Sequence, residues 1–394
     1  MTYDRPTDSI NRPVNENLNK RSSKRGFLLK SRVVEGVIAG FAVVAVATGA
    51  AIAAYASAQS APEPTTTAVP VSDAEELRLG YFGNLTHAPA LVGLENGYFA
   101  EELGDTKLST QAFNAGPSAI EALNAGAIDA TFIGPNPAIN SYVQSNGESL
   151  RIVAGATAGG AQLVVKPGID SPEDLAGATL ASPQLGNTQD VALRVWLHEQ
   201  GYETTTEGGG DVAIIPTENA TTLQLFQNGD IDGAWLPEPW ASRLVVDAGA
   251  EVLVDEAELW PEGKFATTVL VVNRQYLAEH PNQVKALLRA EERAITWLNE
   301  NPEQTPDLIN AGLEAANAKP LAAPVVERAL ENVTFSQEPL ADALGELLKD
   351  GVQAGTTDDA DLAGILDLTL LNDQQVEAGL QEYEDAGLGA GTAP

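Results

Sequence analysis

An internal repeat constrains the fold of this chain more than any other feature of its sequence. Residues 116–137 correspond to residues 219–240, so that Ser118 pairs with Thr221, 103 positions further along (221 minus 118). In each copy the hydroxyl residue opens a stretch whose apolar residues have helical spacing, and a short apolar strand follows. The repeat predicts two similar lobes, each containing one such helix and strand. The alternative is that both copies lie in a single sheet.

A glycine follows each predicted helix of the repeat. Gly126 and Gly229 lie where a helix C-terminus favours the left-handed conformation, which glycine adopts without steric penalty. Each strand then ends in a loop with prolines, at 134–137 in the first copy and at 237–240 in the second. Because ligands of open α/β sheets bind beyond the ends of strands, these loops are candidates for a binding site.

The rest of the chain after residue 75 alternates short apolar runs with helical patterns. This alternation predicts α/β lobes with largely parallel sheets. The runs that we interpret as strands are 77–82, 130–133, 177–181 and 212–215.

The N-terminal part of the chain has the pattern of an export signal or a membrane anchor. Six basic residues lie between Lys20 and Arg32, and no charged residue occurs from Val37 to Ala56. About 20 apolar residues can span a bilayer as a helix, and preceding basic residues place the chain after it outside the cytoplasm. We expect a cytoplasmic segment (1–35), a transmembrane anchor or signal segment (36–56) and a Pro/Thr-rich linker (57–75).

The anchor and the cleaved signal are both compatible with this N-terminal sequence. The run of small residues at 56–58 fits a cleavage site, whereas the apolar stretch exceeds a usual signal peptide. We favour an uncleaved anchor, with a buried core helix as a further alternative.

The charge of the chain excludes one class of partner. Its net charge is −33, with 22 Lys and Arg against 55 Asp and Glu, so we expect no nucleic-acid partner, since phosphate binding requires clustered basic residues. Such acidity is typical of a highly soluble surface and says little about a ligand.

The composition also argues against an enzyme. The chain has no cysteine and three histidines, which excludes disulfides and thiolate metal sites and makes a histidine-rich metal site improbable. It contains no nucleophile elbow, phosphate-binding loop or zinc-protease motif. We therefore predict no catalytic residues, no metal and no cofactor.

Several polar loops precede predicted helices, and their N-termini are the candidate binding elements. The unpaired N–H groups and partial positive charge of a helix N-terminus can bind an anion without a basic side chain. For any one of these loops the alternative is simple helix capping. These elements are Ser118 and Thr221 in the repeat, the loop 84–89 with Asn84 and His87, and the loop 186–190 with Asn187, Thr188 and Gln189.

Three side chains in these regions suggest more specific roles. His87 lies in a loop before a helix start, which favours a ligand contact, whereas His198 and His280 have the pattern of surface positions. Trp235, Glu238 and Trp240 cluster around two prolines and would provide an aromatic wall and a carboxylate for a ligand with an apolar body or an amino group. Core packing is the alternative for Trp235, and a strained loop is the alternative for Glu238 and Trp240.

The chain resembles the substrate-binding proteins of the nitrate, taurine and alkanesulfonate ABC importers over about residues 77–298. The segments that carry the resemblance are THAP (86–89), FIGPNPA (132–138), PQLGNTQD (183–190) and AWLPEPW (234–240). The last segment departs from the Trp-Asp-Pro that is frequent in sulfonate binders. A related group of thiamine-precursor enzymes depends on a cysteine-rich motif, which this chain lacks.

The resemblance implies an α/β, two-lobed type II periplasmic-binding-protein fold, in which two crossing strands form the hinge. It implies that lobe 1 comprises 76–158 and 266–385, that lobe 2 comprises 159–265, and that 386–394 form a flexible tail. The ligand residues that it implies, together with the aromatic wall, are Asn84, His87, Ser118, Asn136, Asn187, Thr188, Gln189, Asn219, Trp235 and Glu238.

The function that the resemblance implies is the extracytoplasmic capture of a small anion, foremost an alkanesulfonate, and its delivery to an ABC permease and, through it, the ATPase. Taurine, nitrate and a thiamine precursor or aromatic ligand are alternatives. An enzyme on the same scaffold and a membrane-anchored ligand sensor are the rival functions.

Overall fold

The computed structural model describes residues 72–390. The predicted cytoplasmic segment, the predicted anchor and nearly all of the predicted linker lie outside these residues. Within them, no helix combines the length and the apolar character needed to cross a bilayer.

Eleven strands form two sheets within the described residues. In chain order they are β1 (Glu76–Phe82), β2 (Lys107–Phe113), β3 (Ala130–Ile133), β4 (Leu150–Gly159), β5 (Ala161–Val165), β6 (Thr179–Ser182), β7 (Ala213–Pro216), β8 (Gly233–Pro237), β9 (Glu251–Asp255), β10 (Ala266–Asn273) and β11 (Val333–Phe335). The first sheet has the order β11-β4-β10-β3-β1-β2 and the second β7-β6-β8-β5-β9. We call the first sheet with its helices lobe 1 and the second with its helices lobe 2.

Thirteen α-helices cover these sheets in the part of the chain that the structure describes. They are α1 (Ala88–Glu95), α2 (Tyr98–Leu103), α3 (Gly116–Asn124), α4 (Pro135–Gln144), α5 (Thr188–Glu199), α6 (Asn219–Asn228), α7 (Trp240–Ala248), α8 (Arg274–Glu279), α9 (Pro281–Glu300), α10 (Thr305–Ala315), α11 (Ala323–Glu331), α12 (Ala341–Gln353) and α13 (Thr369–Glu377).

The sheets are mixed, which corrects the prediction of largely parallel sheets. In lobe 1, β10 is antiparallel to both β3 and β4. In lobe 2, β5 is antiparallel to β8 and β9. These strands are antiparallel because they flank the places where the chain passes between the lobes. The prediction was wrong because their apolar runs resemble those of parallel strands.

Both faces of the second sheet are buried at its central strands β5, β6 and β8, which explains their continuous apolar runs. Leu163 packs with Trp235 on one face, and the next residue, Val164, packs with Leu236 on the other. Because successive side chains of a strand point to opposite faces, a sheet covered on both sides requires apolar residues at every position.

The chain passes from lobe 1 to lobe 2 at Gly159 and Gly160, between β4 and β5. Both have positive φ (74° and 76°). A Cβ atom on Gly160 would lie 2.4 Å from a methyl group of Val333, and one on Gly159 would lie 2.7 Å from the Asn332 carbonyl oxygen. Glycine is therefore required at this crossing. The chain returns to lobe 1 just before β10.

The two copies of the repeat lie in different sheets, which excludes the single-sheet alternative. The first copy forms α3 and β3 in lobe 1, and the second forms α6 and β8 in lobe 2. Gly126 and Gly229 have φ of 67° and 78°, as predicted for left-handed residues after each helix. The segment 134–137, predicted as a loop, instead contains the first turn of α4, where proline fits because its missing N–H has no helical partner.

Candidate functional site

A small cavity of about 20 Å³ lies between the lobes, at the ends of strands from both sheets. Its volume suffices for about one water molecule, so the cleft is nearly closed. The residues that line it are Phe82, Asn84, Thr86, His87, Asn114, Gly134, Asn187, Thr188, Gln189, Asn219, Pro237 and Thr267.

Hydrogen bonds join the two lobes around this cavity. They run from Trp240 Nε1 to Asn84 Oδ1 (2.9 Å), from Asn114 Nδ2 to Glu218 Oε1 (3.1 Å) and from the Gly116 N–H to Asn187 Oδ1 (3.3 Å). Each bond pairs a residue of one lobe with a residue of the other. The structure is thus the closed form of a two-lobed clamp.

The N-termini of α5 and α6 border the cavity. In α5 the N–H groups of Asp190 and Val191 already donate to the Asn187 carbonyl. The preceding N–H groups, of Thr188 and Gln189, have no backbone partner among the described residues, as expected for a first helical turn. Unpaired N–H groups and the positive end of the helix dipole together favour a negatively charged group here.

Two buried polar atoms of the cavity lining have no hydrogen-bond partner within residues 72–390. They are the hydroxyl oxygen of Thr188, whose side chain is almost inaccessible to solvent, and Oδ1 of Asn219. A buried polar group without a partner is energetically costly, so such groups are rare and point to a ligand. Both residues are in first turns, of α5 and of α6.

His87 presents a neutral N–H donor. Its Nδ1 accepts a hydrogen bond from the Phe82 N–H (3.3 Å), and its ring stacks on the Phe82 ring with 4.4 Å between the centroids. The tautomer with a proton on Nε2 follows, since Nδ1 acts as an acceptor. Complete burial lowers the pKa of His87 to about 3, so the imidazole is uncharged at physiological pH.

The lining is electrically neutral, because none of the described residues around the cavity has a charged side chain at that pH. A buried ion pair, Asp190 with Arg194, lies in α5, whose N-terminus borders the cavity. Asp190 accepts from Arg194 Nε (3.0 Å), from the Ser182 hydroxyl (2.6 Å) and from the Gly186 N–H (3.0 Å). This network fixes the loop before α5.

Six of the residues predicted from the sequence come together in this lining: Asn84, His87, Asn187, Thr188, Gln189 and Asn219. Three others make contacts elsewhere. The Ser118 hydroxyl donates to the Ala115 carbonyl (2.8 Å), and Asn136 Nδ2 donates to the Leu347 carbonyl (3.0 Å), which fastens α12 to α4. Trp235 is fully buried in lobe 2, where its Nε1 donates to Glu256 (2.7 Å).

Glu238 also lies outside the lining and is fully buried at the joint between the lobes. Its carboxylate accepts from the Ser242 N–H and hydroxyl (3.1 and 2.9 Å), from Asn332 (2.8 Å) and from Arg328 (3.2 Å). Burial raises the pKa of Glu238, while these donors oppose the rise. Both carboxylate oxygens accept hydrogen bonds from residues of this joint, so Glu238 has a structural role there.

Sequence reasoning did not identify Phe82, Asn114 and Thr267 of the lining, and it gave Thr86, Gly134 and Pro237 only as members of the segments 86–89, 134–137 and 237–240. Asn114 follows the end of β2, so its position was accessible from the strand-end rule. Thr267 lies within β10, in an apolar run that carries no local signal.

A larger cavity of about 900 Å³ lies between α5 and α12 and is unsuited to an anion. Nine carboxylate residues and one lysine are among the residues that line it. Burial raises the pKa of Glu256 and of Asp350, each to about 7, and neighbouring carboxylates reinforce the effect. Since like charges repel, the small cleft is the better anion site.

Comparison with known sequences connects the chain to a protein family. The model of the family described as "NMT1-like family" matches residues 71–311. The taurine-binding periplasmic protein of Escherichia coli (strain K12) is 29% identical over 202 residues. This match covers 51% of the present chain and 60% of that relative. The chain thus matches less than two thirds of the relative's length.

Solved structures show the same fold. The alkanesulfonate-binding protein of Xanthomonas axonopodis pv. citri, bound to MOPS, superposes with a TM-score of 0.61 at 18% identity, covering 73% of this chain and 96% of that one. The periplasmic nitrate-binding protein of Synechocystis PCC 6803 gives a TM-score of 0.62 at 16% identity, covering 74% and 84%. The predicted two-lobed periplasmic-binding-protein fold is confirmed.

Proposed function

Because the chain belongs to the NMT1-like family, we propose that it is the extracytoplasmic solute-binding protein of an ABC importer that captures a small anion and delivers it to the permease. The observation that carries this proposal is the neutral, donor-rich cleft between two closed lobes. Binding proteins related to this chain bind taurine, alkanesulfonate and nitrate. Like these relatives, the chain is a binding protein and not an enzyme.

The ligand that we propose first is an alkanesulfonate. Its oxygen atoms would accept from the N–H groups of the α5 N-terminus, from the Thr188 hydroxyl and from His87 Nε2. A sulfonate remains fully ionised at physiological pH and therefore needs no acceptor for a proton of its own. Taurine, nitrate and a thiamine precursor or aromatic ligand remain the alternatives.

Lobe closure is the mechanism by which the ligand would be held. A ligand that contacts both lobes stabilises the closed form by its differential affinity for that form. In this clamp, lobe 1 supplies Asn84 and His87, and lobe 2 supplies Asn187, Thr188, Gln189 and Asn219. The closed form is then the one that the permease would recognise.

The membrane anchor remains part of the proposal. Residues 36–56 would hold the binding domain beside its permease, since the chain has no cysteine to carry a lipid. Cell fractionation of the full chain tests this: an anchored protein stays with the membranes after washing in high salt, and a cleaved one is recovered without residues 1–58.

Calorimetric titration of the full chain with ethanesulfonate, taurine, nitrate and a thiamine precursor tests the function. We expect saturable binding of ethanesulfonate in preference to the others, and a smaller radius of gyration when the ligand is present. Preference for another anion would reassign the ligand. If none of the four bound, the importer function would be rejected.

A further inference from the structure

Trp240, which does not line the cavity, reaches across the closed cleft to one of the residues that do. It is the first residue of α7 in lobe 2, and its indole Nε1 donates to Oδ1 of Asn84 in lobe 1 (2.9 Å). A second bond joins the same two segments, from the Thr86 N–H to the Glu238 carbonyl (3.4 Å). Two hydrogen bonds therefore join the segment 238–240 of lobe 2 to the loop 84–87 of lobe 1.

Lobe 1 alone already fixes the backbone of this loop. The His87 N–H donates to the Asn84 carbonyl (3.0 Å), and the Thr157 hydroxyl donates to the Thr86 carbonyl (2.7 Å). His87 is stacked on Phe82. What these contacts leave open is the orientation of the Asn84 side-chain amide, because its only side-chain partner among the described residues is Trp240.

The chemistry of the indole determines that orientation. An indole N–H can donate but cannot accept, so it binds only the oxygen of the amide. With Oδ1 occupied, the NH2 group of Asn84 is the end that remains for the cavity. An anion requires donors, and an amide turned the other way would present a repulsive oxygen.

Asn187 is oriented in the reciprocal way. It belongs to lobe 2, and its Oδ1 accepts from the Gly116 N–H of lobe 1 (3.3 Å). Each lobe thus uses an N–H group to occupy the amide oxygen of an asparagine on the other lobe. Both bonds exist only when the lobes are together.

We infer that Trp240 is a positioning residue: on closure its N–H holds the Asn84 amide so that the NH2 group faces the anion. The effect of Trp240 on anion binding rests on the proposed function of the cleft. The guanidinium of Arg243, 4.8 Å from the ring centroid, keeps the indole in place through a cation–π contact. This bond therefore couples closure to the recognition of the anion.

A double-mutant cycle tests the inference with ethanesulfonate as the probe. Trp240→Phe keeps the ring and removes the N–H, and Asn84→Ala removes the amide. We expect Trp240→Phe to raise Kd by about tenfold, the size of one neutral hydrogen bond, in the wild-type background. In the Asn84→Ala background the same change should alter Kd by less than about twofold, because the amide that Trp240 orients is gone.

Trp297→Phe is the matched control. Trp297 lies in α9, is partly buried like Trp240, and packs against the core of lobe 1. It should leave Kd unchanged in both backgrounds. Circular dichroism verifies that each variant is folded.

A second measurement needs no ligand. Since the chain has no cysteine, Ala125→Cys in lobe 1 and Gln227→Cys in lobe 2 allow spin labels at two exposed positions, and pulsed dipolar spectroscopy then reports the distance between the lobes. We expect Trp240→Phe to shift the ligand-free population towards longer distances, and to cause no further shift in the Asn84→Ala background, where the bond is already lost.

The two arms separate the inference from the proposed function. If the wild-type chain binds no anion of the panel, the function is rejected, and the distance measurement still decides the Trp240–Asn84 coupling. The inference is overturned if Trp240→Phe has no effect on either readout. It is equally overturned if the effect is the same with and without the Asn84 amide, since Trp240 would then act through packing alone.

Discussion

The Nδ1 atom of His87 accepts a hydrogen bond from the backbone N–H of Phe82 at 3.3 Å, in an environment where burial lowers the histidine pKa from 6.5 to about 3. This bond decides both the tautomer of the imidazole and the role it can have in the cleft. As a neutral donor, His87 contributes a hydrogen bond to an anion but no charge.

The pH dependence of stability should carry the signature of this buried histidine. Between pH 6.5 and 3 the unfolded chain binds a proton at His87 that the folded chain does not, so acid favours unfolding. We expect His87→Gln, which keeps a polar side chain, to lower this part of the acid sensitivity. Urea unfolding of both proteins at pH 7, 5.5 and 4.5 checks it: the difference between their unfolding free energies should shift in favour of the variant as pH falls. A pH-independent difference would contradict it.

Thr188→Val should weaken binding without weakening the fold. The change removes a buried hydroxyl that has no partner within the described residues and keeps the branched shape of the side chain. Losing a hydrogen bond to the ligand should raise Kd by about tenfold, whereas the melting temperature of the ligand-free protein should stay equal or rise. Thr221→Val, at the exposed third position of α6, is the control and should leave Kd unchanged. A loss of stability in Thr188→Val would argue for a structural hydroxyl instead.

Much of the fold and part of the cleft follow from local sequence patterns. The strand runs and the turns at Gly126 and Gly229 are determined within a few positions of one another, whereas the N-cap predicted at Thr188 is wrong, since Asn187 precedes α5 and Thr188 is its first residue. The role of Trp235 could not be assigned from the sequence, because an aromatic residue in a core and one in the wall of a cleft have the same local sequence pattern. Its burial depends on the packing of two sheet faces.

The role of Glu238 was not predictable for a related reason. Its partners Arg328 and Asn332 lie some 90 positions further along the chain and reach it only because β11 pairs with β4 at the lobe crossing. No local pattern encodes such a contact. The same applies to Thr267, which enters the cleft through the position of β10 in the sheet.

Gly134→Ala should prevent the lobes from closing. A Cβ atom on Gly134 would lie 2.5 Å from the Thr188 hydroxyl oxygen of the other lobe, and its next contacts are at 3.5 Å or more. The backbone there (φ −66°, ψ 148°) suits alanine, so lobe 1 itself is not strained. We expect a Kd at least about tenfold higher and a scattering profile that stays extended when ligand is added.

Gly345→Ala is the control for that substitution. Gly345 lies in α12 with open space around its Cα, and alanine should stabilise the helix by roughly 0.5–1 kcal/mol without affecting Kd. If Gly134→Ala bound ligand and closed like the wild type, the closed arrangement of the cleft would be wrong. Thr188→Ala should relieve the clash, so the double variant should bind no worse than Thr188→Ala alone.

Arg328→Met should destabilise the joint between the lobes, because it leaves the fully buried carboxylate of Glu238 without its ion-pair partner. Arg328 also donates to the Ser242 hydroxyl (2.8 Å) and to Gln162 (2.6 Å), so one arginine of α11 joins β5, the residue after β8 and α7. Breaking a buried ion pair from one side costs about 3–5 kcal/mol, of which we expect a smaller part here since Arg328 is 22% exposed. The loss should shrink at lower pH, where Glu238, whose pKa burial raises, takes up a proton.

Adding Glu238→Gln to Arg328→Met should restore much of the unfolding free energy. The control Arg243→Met, which removes the partly exposed pair with Asp247, should change the unfolding free energy by less than about 1 kcal/mol. Urea unfolding at pH 7 and pH 5 measures all four proteins, and equal losses for the single and double variants would show that packing of α11, rather than the charge of Glu238, sets the cost.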